Sequence, residues 1–304
     1  RGADYALNME KVTVDLGSCM RHARETLGYK NIVLLGWSGG GSLSAFYQAQ
    51  AENPTVTSSP CGGGPDFTRE KLVPADAVIM MAAHVSRHGT LTEWIDPSVL
   101  DETNPDRRDP ALDLYGAALS PPYSDEFLTR YRAAQIARNK KITAWVKYKL
   151  DSLEQAGRVN EEFAFVTHGT MADPRWLDPL VDPNDRVPGT CYLGDPRVVN
   201  NGPVGLARFC TLRSWLSQWS LDDANACGPS SLVQVSVPVL VVGNTADDAC
   251  TPSHTKALFD AVSHESKARV DIKGANHYYM GQPELAKEAT EHVMAWLREY
   301  NFPV

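Results

Sequence analysis

The sequence predicts an α/β fold: a mainly parallel sheet flanked by helices and interrupted by a long, mostly helical insertion. Three observations carry this. Short, continuously apolar runs recur, each followed by a helical stretch, which is the pattern of parallel strands covered on both faces. Between about residues 84 and 233 the alternation gives way to Pro-, Asp- and Arg-rich loops and a long amphipathic helix. Finally, Gly36-Trp37-Ser38-Gly39-Gly40 stands between an apolar strand and a helix, where a sharp turn calls for small residues.

A first helix is expected over about Asn8–Leu27, where Glu10, Arg21 and Arg24 interleave with Val14, Cys19 and Met20 and Gly28 ends the run. Asn31–Leu35 reads as a buried strand, Leu43–Gln50 as a helix, and Ala77–Met81 as a second buried strand. Within the insertion, Ser124–Gln155 carries Phe127, Tyr131, Ile142, Trp145 and Leu153 on or near one face. Another helix is expected at about Leu206–Trp219, and few buried strands are. Val237–Val242 repeats the buried-strand pattern, followed by a helix over about Ser253–Ser263 and a strand over Lys267–Ile272. Pro283 opens the last helix, with Leu285, Ala289, Val293 and Leu297 at four-residue steps. The implied organisation is a core segment 1–83, a helical insertion 84–233 lying over the sheet, and a second core segment 234–304.

Composition narrows the function. The 304 residues, 43% hydrophobic and 22% charged, suffice for a large buried core. A net charge of −8 excludes the basic footprint of a nucleic-acid binder. No window holds 18 consecutive apolar residues, so the sequence offers no transmembrane helix. Cys19, Cys61, Cys191, Cys210, Cys227 and Cys250 form no C-x-x-C pair and no zinc-type spacing. A chain of this length needs no disulfide framework, and no signal peptide is visible. These features point to a reducing, cytoplasmic setting.

The chemistry centres on Ser38. A G-x-S-x-G pattern arises by chance in about one chain in ten of this length, so its place between strand and helix is what gives it weight. There the serine would stand above the sheet at a helix N-terminus, and the Gly39 amide could stabilise a developing oxyanion. The bland reading is a Gly-rich turn, and a phosphate loop is disfavoured because no Lys follows. A serine nucleophile needs a base, and the base an orienting group. Gly243-Asn244-Thr245-Ala246-Asp247-Asp248 places two acids at the C-terminal end of a strand, and Lys273-Gly274-Ala275-Asn276-His277 places a histidine before the last helix. The span from Asp247 to His277 leaves room for one helix and one strand between adjacent loops, and the carboxyl ends of parallel strands are where such sheets carry their sites. Trp37 either lines a pocket or packs beneath the turn. His84 and His88 follow the second strand and either face the site or belong to the core. Arg130, Arg132 and Arg138 leave room for apolar or carboxylate-bearing substrates.

In Leu34-Leu35-Gly36-Trp37-Ser38-Gly39-Gly40, in Pro238-Val239-Leu240-Val241-Val242-Gly243 with Asp247, and in Gly274-Ala275-Asn276-His277, the sequence resembles the α/β-hydrolase superfamily. The resemblance covers roughly residues 8–83 and 234–304. It implies Ser38 as nucleophile, His277 as general base and then acid, and an acidic partner. Asp247 matches the position after G-x-x-A, with Asp248 its rival. It further implies an oxyanion site at Gly39, a pocket beside Trp37, the insertion as a cap, no metal or organic cofactor, and a small-molecule acyl substrate such as an ester or lactone. C–C bond hydrolases, peptidases and acyltransferases use the same triad, and a non-catalytic binding protein is the alternative of a different class. One departure stands out. The superfamily has several strands before the serine turn, one of whose loops supplies a second oxyanion amide, whereas about 30 residues precede the strand here. Cys61-Gly62-Gly63-Gly64 has the composition of that loop but follows Ser38 and lacks the His, so it reads as a surface loop. The expectation is that the first strands lie outside this chain, on a separate or additional N-terminal segment that completes the sheet.

Overall fold

The computed structural model describes residues 6–304; Arg1–Tyr5, where the sequence opens, lie outside the described residues. In chain order the first elements are α1 (Met9–Arg21), β1 (Val33–Trp37), α2 (Gly39–Glu52), β2 (Ala77–Met81), α3 (Arg87–Trp94) and α4 (Asp125–Gln155). Then come β3 (Ala164–Val166), α5 (Pro174–Leu177), α6 (Pro196–Asn201), β4 (Phe209–Thr211) and α7 (Leu212–Ser214). The chain closes with α8 (Gly228–Leu232), β5 (Val239–Asn244), α9 (Pro252–Ala261), β6 (Lys267–Ile272) and α10 (Pro283–Glu299).

Two compact units emerge. The first comprises Met9–Arg87, Asp182–Val187 and Asn225–Val304. Its sheet is parallel throughout, in the order β1-β2-β5-β6. Alternate residues serve opposite faces. Ala77, Ile79, Met81, Leu240 and Val242 meet Val293, Trp296 and Leu297 of α10. Val78, Met80, Val239 and Val241 meet Ala45 and Ala49 of α2, Leu232 of α8 and Leu258 of α9. With helices on both sides, neither face of β2 or β5 reaches water, and the strands read as unbroken apolar runs. Met20 of α1 adds a smaller cluster with Leu34, Tyr47 and Ala75.

Pairing shifts two strands by two residues from their expected bounds. Ladder contacts of β1 begin at Val33 opposite Ala77, because the Ile32 amide donates to the Asp76 carboxylate instead. β5 begins at Val239, after Pro238, which has no N–H to offer. The first helix also stops short of Leu27: a five-residue π-turn, His22–Thr26, follows α1. Among the described residues β1 is an edge strand, and Leu35 at its centre is 48% exposed.

The second unit comprises residues 6–8, His88–Val181 and Pro188–Ala224. Its spine is α4, 31 residues long and capped by Ser124, whose hydroxyl accepts from the Phe127 amide. Trp94, Trp176, Trp215 and Trp219 are fully buried here, so these tryptophans form the unit's own core. The helix expected over Leu206–Trp219 is only half present. Residues 209–211 form β4, paired antiparallel with β3, and helical backbone starts at Leu212, continuing through a π-turn at Trp215–Trp219. Ala207 takes a positive φ of 54°, which no helix tolerates in its interior.

Candidate active site

The turn after β1 is built by its glycines. A Cβ at Gly36 would stand 2.6 Å from the Gly40 carbonyl oxygen, and one at Gly41 would stand 2.4 Å from the Ala83 Cβ, so only glycine fits at either position. Between them Ser38 takes φ 53° and ψ −124°, a conformation that costs of order 1–3 kcal/mol. The surroundings hold it there. The Ser38 amide donates to the Met81 and Ala82 carbonyls, and the Ser38 carbonyl accepts from Gly41 and His84. Gly39 opens α2, and its amide is among those with no partner inside the helix.

The loops after β5 and β6 bring the other two groups to this turn. His277 Nε2 lies 3.0 Å from Ser38 Oγ, and His277 Nδ1 lies 2.8 Å from Asp247 Oδ2. Asp247 is fully buried, and its other oxygen accepts from the Ala249 and Cys250 amides at 2.7 and 2.8 Å. Such a carboxylate is fixed in both position and direction. The His277 loop is fixed as well. Asn244, at the end of β5, donates to the Asn276 carbonyl and accepts from the Tyr279 hydroxyl, and Gln282 clasps Gly274 and Asn276.

This is a parallel sheet with a serine on a strained strand-to-helix turn and its acid and histidine later, on successive strand ends, in the chain order Ser…Asp…His. The fold is the α/β-hydrolase fold. No family model matches the chain, and no curated protein does. Among solved structures it is similar to the monoacylglycerol lipase of Paleococcus ferrophilus, at 15% identity and TM-score 0.44, over 96% of this chain and 75% of that one. It is also similar to MenH from S. aureus, at 12% and 0.41 over 98% and 78%. A third is an alpha/beta fold family hydrolase from Bacillus anthracis, at 13% and 0.40 over 95% and 74%.

The remaining sequence candidates separate cleanly. Asp248 is half-buried, and burial together with the neighbouring Asp247 charge pushes its carboxyl up to about 6; Asp247 is the acid bonded to His277. Trp37 turns toward the sheet core, edge-on to Tyr279 with ring centroids 5.7 Å apart. His84 stays close to the site, its ring 6.2 Å from that of His277. His88 belongs to the second unit, where neither ring nitrogen has a hydrogen-bond partner and burial lowers its pKa to about 4. Cys61 to Gly64 forms a turn with positive φ at all three glycines, as a surface loop should. None of the six cysteines is in a disulfide.

Arg132 and Arg138 of the insertion are engaged by neighbours within the second unit. Arg138 donates to both Glu102 oxygens and to the Asp96, His168 and Gly169 carbonyls. Arg132 holds Asp173 and the Glu93 carbonyl. A cavity of about 610 Å³ also belongs wholly to the second unit, lined by Trp145, Phe163, Phe165, Lys141 and His168 among others.

Two groups near Ser38 went unread in the sequence. The Arg87 guanidinium stands 3.5 Å from where a Gly39 Cβ would be, and Cys250 Sγ lies 3.4 Å from His84 Nδ1. Asp247, Cys250 and His277 offer potential ligand atoms within 4.8 Å of one another. Cys250 follows Asp247 by three residues, but nothing local ties it to His84, 166 residues earlier. No described helix is long and apolar enough to cross a membrane.

Proposed function

We propose that the chain is a serine hydrolase that cleaves a carboxylic ester, lactone or related acyl compound through an acyl-enzyme. The observation that carries this reading is the unbroken line from Ser38 Oγ through His277 to Asp247, at 3.0 and 2.8 Å. Ser38 Oγ attacks the substrate carbonyl carbon while His277 Nε2 takes its proton. Asp247 accepts from Nδ1–H, fixing the tautomer that leaves Nε2 free to act as base and stabilising the imidazolium that results. The electron pair of the broken C=O π bond resides on oxygen, where the Gly39 amide and the N-terminal end of α2 face it. Collapse expels the alcohol, protonated by His277, and leaves an ester on Ser38. Water repeats the sequence, with His277 again as base, and frees the acid and the serine.

The strained backbone of Ser38 favours this over a binding role. A binding protein gains nothing from a serine held at φ 53°, whereas an exposed nucleophile does. A fluorophosphonate probe decides the matter. The protein is expected to be labelled once per chain, and Ser38→Ala to abolish labelling; an unreactive wild type overturns the hydrolase reading. A series of p-nitrophenyl esters of rising chain length then grades the acyl pocket. The exposed edge at β1 supports a further part of the reading, that another segment adds a strand there.

A further inference from the structure

We propose that Cys250, His84, His277 and Asp247 form a binding site for a borderline-soft divalent cation, Zn²⁺ being the type, and that filling it switches Ser38 off reversibly. The inhibitory half rests on the serine-hydrolase reading; the binding half does not.

Geometry comes first. The Asp247, Cys250 and His277 ligand atoms lie within 4.8 Å of one another, and Cys250 Sγ is 3.4 Å from His84 Nδ1. Two corners of a tetrahedral zinc site, with Zn–S about 2.3 Å and Zn–N about 2.0 Å, are separated by about 3.5 Å. The Cys250–His84 pair thus already has the spacing of two ligands, and Asp247, Cys250 and His277 need to close by less than the width of an atom, with His84 joining from the Cys250 side. All four residues are buried, none more than 7% exposed, so water competes poorly for the metal.

Donor chemistry selects the ion. One sulfur, two imidazoles and a carboxylate suit Zn²⁺ or Co²⁺ rather than Mg²⁺ or Ca²⁺, which want oxygen. On binding, Cys250 releases its thiol proton to solvent and the thiolate lone pair forms the metal–sulfur bond. His277 ceases to be a base by either route. Metal on Nε2 takes the lone pair that would accept the Ser38 proton. Metal on Nδ1 displaces Asp247 and leaves the ring proton on Nε2, which then donates to Ser38.

The test uses Ser38→Ala protein, reduced, stripped with EDTA and titrated with Co²⁺. A near-ultraviolet sulfur-to-cobalt charge-transfer band saturating at one ion per chain is expected, and Cys250→Ser should lose it. Zinc K-edge absorption of the wild-type protein needs no variant: one sulfur neighbour at about 2.3 Å is expected, and a shell of oxygen and nitrogen alone overturns the site. In wild-type protein, equimolar Zn²⁺ should slow fluorophosphonate labelling at least tenfold, EDTA should restore it, and His84→Gln should raise the Zn²⁺ needed at least tenfold. Labelling unaffected by bound Zn²⁺ overturns the switch. A wild type that never labels sinks the hydrolase reading, while the cobalt and zinc spectra still decide the site.

Discussion

Asp247 and Asp248 are adjacent in sequence and opposite in circumstance. Asp247 has both oxygens engaged, one by two backbone amides and one by His277, while Asp248 is held partly protonated by burial and by its neighbour's charge. Replacing Asp247 by Asn leaves the shape but favours the wrong histidine tautomer, and kcat/KM on p-nitrophenyl acetate should fall on the order of 10³–10⁴-fold. Asp248→Asn should cost less than tenfold, and equal losses would reject the assignment. His88 gives a second prediction, on stability. Its folded pKa is lowered from 6.5 to about 4, so the unfolded chain binds a proton between those values that the folded chain refuses. The stabilisation is complete above about pH 6.5 and drains away as pH falls toward 4, by on the order of 3 kcal/mol. His88→Gln should flatten that part of a urea-midpoint-versus-pH curve, and an unchanged slope would refute it. Ser38, Asp247 and His277 could be picked out because each lies in a loop bounded by legible strands and helices. Cys250 could not, and His84 was read only as facing the site or belonging to the core, since the proximity of the two is made by tertiary structure alone.

At the level of elements, the crossing of the Ser38 turn over β2 depends on two missing side chains. Gly41→Ala would place a methyl 2.4 Å from the Ala83 Cβ, and the two backbones must part to admit it. A loss of about 1–3 kcal/mol in urea unfolding is expected, and a neutral result would mean that the crossing is looser than described. In the second unit, Asp173 is fully buried and pairs with Arg132 and Arg175, while Arg175 also reaches Glu93. Arg132 and Arg175 hold the Asp173 carboxyl below its usual range despite burial. Asp173→Ala removes the buried carboxylate that Arg132 and Arg175 share and should cost about 3–5 kcal/mol; a cost below 1 kcal/mol would show the network to be dispensable. These polar webs explain what sequence pattern could and could not reveal. Ala77–Met81 and Lys267–Ile272 are strands as read, because strand pairing agrees with local propensity, on both flanks of Ala77–Met81 and on the β5 flank of Lys267–Ile272. The stretch 206–219 divides because residues 209–211 pair with 164–166, a partner more than forty residues away that no periodicity announces.

For the molecule as a whole, the sheet formed by the described residues leaves two edges open, at β1 and β6, and the flank of β1 is the more apolar. Unpaired edges invite strand addition, and Leu35 at 48% exposure is an apolar foothold for it. The active species isolated from its source is therefore expected to weigh more than the 33.3 kDa of this chain or to carry a second one; a fully active monomer of 33.3 kDa on native mass spectrometry would refute strand addition. One further property follows from where Ser38 and His277 fall along the chain. They touch although they stand 239 positions apart in the chain, a span that a ribosome working at about 5–20 residues per second takes roughly 12–50 s to traverse. On the serine-hydrolase reading, the serine exists for that interval without its base, and the nascent polypeptide is expected to be chemically silent. Reactivity would then arrive late in synthesis, with the loop that closes the proton path.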